Sequence, residues 1–167
     1  MTADEVRIRP ARVLEYPLLK HFLYEAIFVP EGATPPARSI VEHPLLRVYY
    51  EGFGAKADDH CLVAVLREEV VGMVWVRIMD DYGHVDAETP SLSIAVLPGY
   101  RGSRIGTRLL LAMHEHLSDC GYRQTSLSVQ KLNPALHLYR RLGYAVLWEN
   151  ETDLVMVRRL QAEEEQR

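Results

Sequence analysis

The chain has 167 residues, of which 48% are hydrophobic and 25% are charged, proportions ordinary for one globular domain with a buried core. The formal net charge is −4, and apart from an acidic run at 163–167 the charges are spread along the chain. No basic stripe suggests a nucleic-acid partner, and no apolar run approaches the roughly 20 residues that span a bilayer. The amino terminus lacks a signal-peptide pattern, so we expect a cytoplasmic protein with no membrane partner.

The cysteines and histidines give no pattern of metal ligands. Cys61 and Cys120 are too few to staple the domain and form no CxxC pair, so reduced thiols are expected. His114 and His116 lie two apart on a predicted helix and should point to nearly opposite faces. Three further histidines lie in loops or at element ends without ligand spacing: His43, His60 and His84. We therefore expect no metal site.

The amino-terminal third is predicted to hold one strand and two helices. Apolar and polar residues alternate over 6–9 as in a short strand, which Pro10 closes. Apolar residues at helical spacing predict an amphipathic helix over 13–29. After a connection rich in proline, a second helix is predicted over 45–53.

The middle of the chain changes to strand periodicity. Runs of β-branched apolar residues predict strands over 61–66 and 70–79, with a hairpin turn at 67–69. The polar segment 80–90 is predicted to be a loop, and 91–97 a third strand in this region.

The remaining elements alternate between helices and strands. Asn133 and Pro134 have the residue types of a helix amino terminus, and Gly143 ends that helix. Helices are predicted at 103–120 and from 133 to 143, and strands at 125–129, 144–148 and 154–157. The resulting order, β-α-α-β-β-β-α-β-α-β-β, favours a mixed sheet over a regularly alternating parallel one.

One segment, 96–110, has the pattern of an anion-binding loop. A strand feeds a glycine-bearing loop and then a helix amino terminus, where free backbone N–H groups and the helix dipole favour negative charge. Arg101 and Arg104 add cations. The segment lacks the Gly-Lys-Ser/Thr ending of a P-loop and the three-glycine dinucleotide fingerprint. Taken alone, the spacing of Gly102 and Gly106 is equally explained by tight packing of strand against helix.

Two motifs together resemble the GNAT superfamily of N-acetyltransferases. Residues 96–110 resemble its acetyl-CoA motif, an Arg/Gln-x-x-Gly-x-Gly/Ala loop after a strand end, and 133–144 resemble its N-P-A-x-x-L-Y-x-R-L-G-F segment. By element order the resemblance covers roughly 61–157. It implies an α+β, three-layer fold: a central mixed, largely antiparallel sheet of about seven strands flanked by about four helices. It also implies a single domain over 1–167, with acetyl-CoA as cosubstrate.

The resemblance also assigns site residues. It implies that backbone groups at Ile94, Ala95 and Val96 bind the pantetheine arm. It implies that the pyrophosphate is held by Arg101, Gly102, Ser103, Arg104, Ile105, Gly106 and Thr107. Asn133 matches the family asparagine that contacts the cofactor, although it also suits a helix N-cap. Tyr139 matches the cofactor-binding tyrosine that protonates the CoA thiolate, and its alternative role is a core aromatic residue beside Leu136.

Arg104 departs from the family pattern, which usually has glycine at that position. A helical conformation would tolerate arginine, whereas a positive φ would strain it. Because Gly106 is retained and the next turn is intact, we expect helical dihedral angles at Arg104.

The proton acceptor for the amine is less constrained. Glu88 is the first candidate and Asp86 the second, because they precede the proposed cofactor-binding strand. The alternative is that both are solvated loop acids. Glu149 and Glu151 flank the last hairpin and are candidates for recognising a cationic acceptor.

The sequence leaves several alternatives open. The chain is expected to transfer an acetyl group to a primary amine, on a small molecule or a peptide, through a tetrahedral intermediate. A catalytically silent acyl-CoA-binding module is the alternative from another class, and an enzyme for a longer acyl-CoA is a third hypothesis. Both a monomer and a homodimer are compatible with the sequence.

Overall fold

The computed structural model describes residues 5–160, and within this range the chain forms seven strands and four α-helices. The acidic run predicted at 163–167 lies outside the described residues. The strands are β1 (Arg7–Pro10), β2 (His60–Leu66), β3 (Glu69–Arg77), β4 (Ser91–Val96), β5 (Gln124–Gln130), β6 (Ala145–Glu149) and β7 (Asp153–Arg159). The helices are α1 (Leu18–Ala26), α2 (Pro44–Arg47), α3 (Ile105–Asp119) and α4 (Ala135–Arg141).

The seven strands form one sheet in the order β1-β2-β3-β4-β5-β7-β6. Neighbouring strands are antiparallel except β4 and β5, which are parallel. The predicted mixed, largely antiparallel sheet of seven strands with four helices is therefore confirmed. No helix among residues 5–160 is long and apolar enough to cross a membrane.

Apolar side chains fix a helical layer on each face of the sheet. Leu109 and Met113 of α3 are fully buried against one face, and Leu136 of α4 belongs to the same apolar cluster. On that face Gly72 of β3 lets α3 approach closely, because a Cβ there would lie 3.0 Å from a Leu109 methyl carbon. Phe22 of α1 and Trp75 of β3 are buried on the other face. The result is a three-layer arrangement.

Three predicted boundaries in the amino-terminal third were wrong. The helix predicted over 13–29 is split, because Pro17 has no N–H to continue the 3₁₀ turn Val13–Glu15, and α1 begins after it. Helix α2 has four residues instead of the predicted nine-residue span over 45–53. Strand β1 spans Arg7–Pro10 instead of 6–9: Pro10 ends the strand, as predicted, but is itself part of it and pairs with Leu62, which an edge strand allows because its outer side needs no N–H donor.

Candidate active site

The parallel strands β4 and β5 separate soon after they begin. Their one registered pair within the described residues is Ser91 with Ser126, near the amino-terminal end of both strands. Beyond this pair the strands diverge, so an opening develops towards their carboxyl ends. An opening between parallel strands at their carboxyl ends is a common place for a ligand in α/β proteins.

The backbone of β4 presents polar groups to this opening. The Leu97 N–H donates to the Val71 carbonyl of β3 at 2.9 Å. Because successive peptide groups of a strand point to opposite sides, the polar groups of Val96 and Ile94 point away from β3, into the opening. The Val96 carbonyl accepts a 2.9 Å hydrogen bond there from Arg101 Nε. An extended ligand that carries amides can pair with this edge as an added strand.

The opening is part of a cleft of about 980 Å³ between β4, the start of α3, α4 and the segment after α1. The volume is large enough for a cofactor-sized ligand. The cleft brings together nearly all the residues assigned to cofactor binding from the sequence: Ile94, Ala95, Val96, Arg101, Gly102, Arg104, Ile105, Gly106, Thr107, Asn133 and Tyr139. Ser103 is absent from the lining, and its Oγ donates to the Tyr100 carbonyl at 2.7 Å.

The loop before α3 has two residues in the left-handed region. Gly102 has φ +83°, and Arg104, the N-cap residue of α3, has φ +65° and ψ +12°. The prediction of helical dihedral angles at Arg104 was therefore wrong. The loop must reverse direction sharply to start α3, and a retained glycine two residues later does not remove that requirement. A non-glycine residue in this region is strained by roughly 1–2 kcal/mol.

The amino terminus of α3 faces the cleft. The N-cap Arg104 makes no side-chain hydrogen bond to the first-turn N–H groups within residues 5–160. Those groups and the positive end of the helix dipole are suited to an anion. Gly106 lies in this first turn, and a Cβ there would approach only a Val96 methyl carbon, at 4.0 Å. A side chain at 106 would therefore fit the fold and project into the ligand space.

Asn133 caps the start of α4. Its Oδ1 accepts a 2.9 Å hydrogen bond from the Ala135 N–H, and its carbonyl accepts one from Leu136. The residue also lines the cleft. The capping geometry predicted from the sequence is thus present, and it leaves the Asn133 amide nitrogen available to a ligand.

Tyr139 projects from α4 into the cleft, backed by a second aromatic ring. Its ring lies 5.8 Å from that of Tyr144 in an edge-to-face contact. The Tyr144 hydroxyl lies 2.8 Å from Nε2 of the buried His114. Burial raises the pKa of Tyr139 to about 12, so the phenol is protonated at neutral pH. Burial lowers the pKa of His114 to about 4, so this imidazole is neutral.

Asp86 and Glu88 are not brought to this cleft. They lie in the loop before β4 and line a separate cavity with Tyr122 and Arg123, beside the carboxyl end of α3. Asp86 accepts a 2.9 Å hydrogen bond from the Glu88 N–H. A hydrogen bond with Thr89, supported by the one from Glu88, lowers the pKa of the Asp86 carboxyl. Its geometry is that of a carboxylate that stabilises a turn.

The segment after α1 forms a wall of the cleft that the sequence did not assign. Apolar residues line it, including Phe28 and Pro35. Glu25 also lines it, with its side chain 12% exposed and its Oε2 3.5 Å from Arg101 Nη2. Glu25 therefore holds the Arg101 guanidinium at the cleft mouth. The helical period of α1 predicted its buried face but did not indicate which cleft its end adjoins.

The structure also brings together His60 and His116, which no spacing along the sequence relates. His114 and His116 do face different sides of α3, as predicted. His60, however, lies beside His116, with Nδ1 2.9 Å from His116 Nε2. His60 lies at an element end, as predicted, but spacing along the chain does not show that the start of β2 adjoins the end of α3.

Comparison with known proteins agrees with the cleft geometry. A sequence profile described as the acetyltransferase (GNAT) family matches residues 26–144. Aminoalkylphosphonate N-acetyltransferase of Salmonella typhimurium is 31% identical over 102 residues, which are 59% of this chain and 66% of that protein. Mycothiol acetyltransferase of Thermobifida fusca is 36% identical over 86 residues, which are 49% of this chain and 26% of that protein. The chain thus spans less than two thirds of the length of these curated relatives.

Solved structures share the fold. The PaiA N-acetyltransferase of Thermoplasma acidophilum, in complex with coenzyme A, aligns with a TM-score of 0.67 and 20% identity, covering 92% of this chain and 98% of that one. The ribosomal-protein-S18-alanine N-acetyltransferase of Escherichia coli aligns with a TM-score of 0.64 and 16% identity, covering 93% and 94%. At these identities the likeness concerns the fold.

Proposed function

Because the chain belongs to the acetyltransferase (GNAT) family, we propose that it transfers the acetyl group of acetyl-CoA to a primary amine. The observation that carries this proposal is the cleft beside β4, which joins the open edge of that strand to the amino terminus of α3. A CoA thioester has the matching chemistry, an amide-bearing arm followed by a pyrophosphate.

The cosubstrate is proposed to bind through two kinds of group. The arm pairs with the backbone of Ile94 and Val96, next to Ala95, where an N–H can also polarise the thioester carbonyl. Asn133 supplies a side-chain amide. The pyrophosphate lies at the loop and the first turn of α3, over the residues Arg101, Gly102, Ser103, Arg104, Ile105, Gly106 and Thr107. Ser103 contributes through its backbone, because its hydroxyl is engaged with Tyr100.

The reaction is proposed to proceed by direct attack. The neutral amine adds to the thioester carbonyl carbon, which gives a tetrahedral intermediate, and the carbon–sulfur bond then breaks. Tyr139 donates its phenolic proton to the departing thiolate, a role supported by its position in the cleft and by a pKa raised by burial to about 12. The amine proton passes to solvent or to a base, and no metal ion takes part in these steps.

For that base we propose Glu88 before Asp86. Asp86 stabilises its own turn and has a lowered pKa, chiefly through its hydrogen bond with Thr89, which makes it a poor proton acceptor. Glu88 is exposed and lies before the amino-terminal end of β4, in the separate cavity described above. It can therefore accept the amine proton only through intervening water. Glu88→Gln should lower kcat/KM more than Asp86→Asn does. Equal rates for both variants and the wild type would remove both residues from the mechanism.

The acceptor is proposed to be a small molecule or a peptide that carries a primary amine. One curated relative is named an aminoalkylphosphonate N-acetyltransferase, and this name supports an amine as the acceptor class. Apolar residues of the cleft wall, such as Phe28 and Pro35, favour an acceptor with an apolar portion. Glu149 and Glu151 remain candidates for contacting a cationic group.

The decisive test combines thiol release with a change at Gly106. The wild type should release CoA from acetyl-CoA in the presence of a panel of primary amines. Gly106→Glu should weaken CoA binding about 10-fold or more by charge repulsion with the pyrophosphate. Gly106→Ala is the matched uncharged control and should lose much less affinity than Gly106→Glu, since its Cβ fits the fold, 4.0 Å from Val96, and adds no charge.

Each failure has a distinct meaning. Binding of CoA without release of thiol by any amine would indicate a binding module instead of an enzyme. Faster turnover with propionyl- or succinyl-CoA would identify a longer acyl donor. Equal CoA affinity of the wild type and Gly106→Glu would contradict the proposed pyrophosphate site.

We further propose that the protein is cytoplasmic and forms a homodimer through β6. This strand lies at the edge of the sheet and exposes Val146, Leu147 and Trp148. An exposed apolar edge strand is a surface that natural proteins usually cover. Sedimentation of the wild type beside Trp148→Glu tests the dimer: a monomeric wild type at micromolar concentration would overturn it.

A further inference from the structure

Three potential metal ligands meet where the start of β2 adjoins the end of α3. His60 is the first residue of β2, His116 lies in the last turn of α3, and Cys120 is the C-cap residue of that helix. One ligand atom from each lies within 4.8 Å of the others. His116 and Cys120 are four residues apart on α3, so they share one face of the helix.

The distances suit a tetrahedral metal ion. His116 Nε2 lies 2.9 Å from His60 Nδ1 and 3.8 Å from Cys120 Sγ. A tetrahedral zinc ion, with bonds of about 2.0–2.1 Å to nitrogen and 2.3 Å to sulfur, holds such ligands roughly 3.3–3.6 Å apart. Small side-chain rotations would bring both separations into this range.

Neighbouring groups orient the His60 ring. The Tyr122 hydroxyl donates to Asp58 Oδ1 at 2.5 Å, and its oxygen lies 3.5 Å from His60 Nε2. With its proton on Nε2, His60 turns the lone pair of Nδ1 towards His116. A hydrogen bond from the non-ligating nitrogen is the usual means of orienting a metal-binding histidine.

The backbone next to His60 is also anchored. The side chain of the preceding residue, Asp59, is buried and accepts hydrogen bonds from Arg77 at 3.0 and 3.2 Å. Arg77 in turn donates to the backbone carbonyls of Val48 and Glu51. Since a pre-positioned ligand loses less conformational entropy on binding, this ion pair favours metal capture by His60.

The exposure of the three residues permits exchange with solvent. His60 and His116 are half-buried, whereas Cys120 is exposed. The cluster therefore has an access route and room for a water molecule as a fourth ligand. Two imidazoles and one thiolate are ligands that zinc prefers, and hard cations such as Mg²⁺ and Ca²⁺ prefer oxygen.

We propose that His60, His116 and Cys120 bind a zinc-class transition-metal ion with water as the fourth ligand. Binding forms two metal–nitrogen bonds and one metal–sulfur bond, and the Cys120 thiol releases its proton to the buffer. The metal joins the start of β2 to the end of α3 and acts as a structural clamp. Helix α3 has 15 residues, so the clamp lies about 22 Å from the pyrophosphate loop at the other end.

The test uses the full chain without a polyhistidine tag, stripped of metal with a chelator. Zinc should bind one to one by calorimetry and should raise the melting temperature as its concentration increases. Cobalt should give a thiolate-to-metal charge-transfer absorption band. His116→Ala and Cys120→Ser should each weaken zinc binding about 10- to 100-fold, and Cys120→Ser should abolish the cobalt band.

Matched controls separate the site from unspecific binding. His137 is exposed on α4 and Cys61 is buried in the core, so His137→Ala and Cys61→Ala should retain the wild-type affinity and the cobalt band. Retained CoA binding by His116→Ala and Cys120→Ser would show that these variants fold. Equal zinc affinity of the wild type and Cys120→Ser, or no binding to the wild type, would overturn the proposal and leave the proposed acetyl transfer untouched.

Discussion

Arg101 Nε donates a 2.9 Å hydrogen bond to the Val96 carbonyl. The same guanidinium contacts Glu25, with Nη2 3.2 Å from the Glu25 carbonyl oxygen. An arm that pairs with β4 needs the Val96 carbonyl, and the pyrophosphate needs the cation. Cofactor binding is therefore expected to move Arg101 from the strand edge to the phosphates.

Arg101→Ala should weaken CoA binding roughly 10-fold. Losing a charged donor to the phosphates costs more affinity than is gained by freeing the Val96 carbonyl for the arm. Calorimetry at low and high salt would measure this, and salt should weaken the wild type more than the variant. Arg7→Ala is the control, since Arg7 is exposed on β1 and does not line the cleft. Unchanged affinity for Arg101→Ala would exclude a phosphate role for this residue.

Tyr139→Phe should lower kcat by about 100-fold while CoA affinity stays within about twofold, because only proton donation is lost. Steady-state rates and calorimetry separate the two effects. Tyr82→Phe is a matched change at an exposed tyrosine outside the cleft and should leave both unchanged. Should Tyr139→Phe turn over at the wild-type rate, another group must protonate the thiolate.

The pH profile follows from the raised pKa of Tyr139. With a pKa of about 12, caused by burial, the phenol stays in its acid form across the range in which the enzyme can be assayed. We expect kcat/KM to rise with pH as the amine, with a pKa near 10, loses its proton. No descending limb should appear below about pH 10. A descending limb below that pH in the wild type that is absent from Tyr139→Phe would contradict this assignment.

Arg104→Gly should stabilise the protein by about 0.5–1 kcal/mol, because glycine removes the strain of a positive φ but adds chain entropy to the unfolded state. Arg104→Ala keeps a Cβ in the left-handed region and should give no such gain. Urea unfolding of the three proteins measures the difference. Equal stability of the glycine and alanine variants would mean that the loop relaxes around residue 104.

Glu15→Gln should destabilise the fold at neutral pH. Glu15 accepts two 2.8 Å hydrogen bonds from Arg9, and this interaction above all lowers the pKa of the carboxyl to about 2. A folded-state pKa below the unfolded value means that the stabilisation is present above about pH 4.5 and is lost as pH falls towards 2. After allowance for solvent screening, the effect is about 1 kcal/mol.

Thermal or urea unfolding at pH 7 and pH 2.5 tests the Glu15 prediction. The difference between Glu15→Gln and the wild type should shrink at the lower pH. Glu68→Gln, at an exposed hairpin turn, is the control and should be neutral at both values. A Glu15→Gln difference that does not change with pH would assign the loss to packing instead of charge.

Local patterns predicted the elements that carry most of the proposed cofactor site. The alternation around Ile94 and the Asn-Pro start of α4 fixed the strand and the helix on either side of the cleft, because these signals depend on neighbours in sequence. The backbone conformation of Arg104 could not be read in this way. It depends on the angle at which β4 meets α3, which is a property of the assembled sheet.

Long-range contacts account for the other differences. His60 and His116 are 56 residues apart, and no periodicity relates them. Glu88 precedes β4 and the proposed phosphate loop follows it, so the two lie at opposite ends of the strand. The opening between β4 and β5 develops at their carboxyl ends, away from Glu88. Strand direction, which the sequence reading did not consider, decides on which side a loop acid lies.

The single registered pair between β4 and β5 in residues 5–160 also has a consequence for exchange kinetics. The N–H groups of Ile94 and Val96 point into a gap, where the sheet itself offers no strand to shield them from water. Under the proposed function the pantetheine arm fills that gap, so CoA should slow deuterium uptake at these amides. The bound cosubstrate would then act as an additional strand beside β4, and these amides would be exposed to water again when it dissociates.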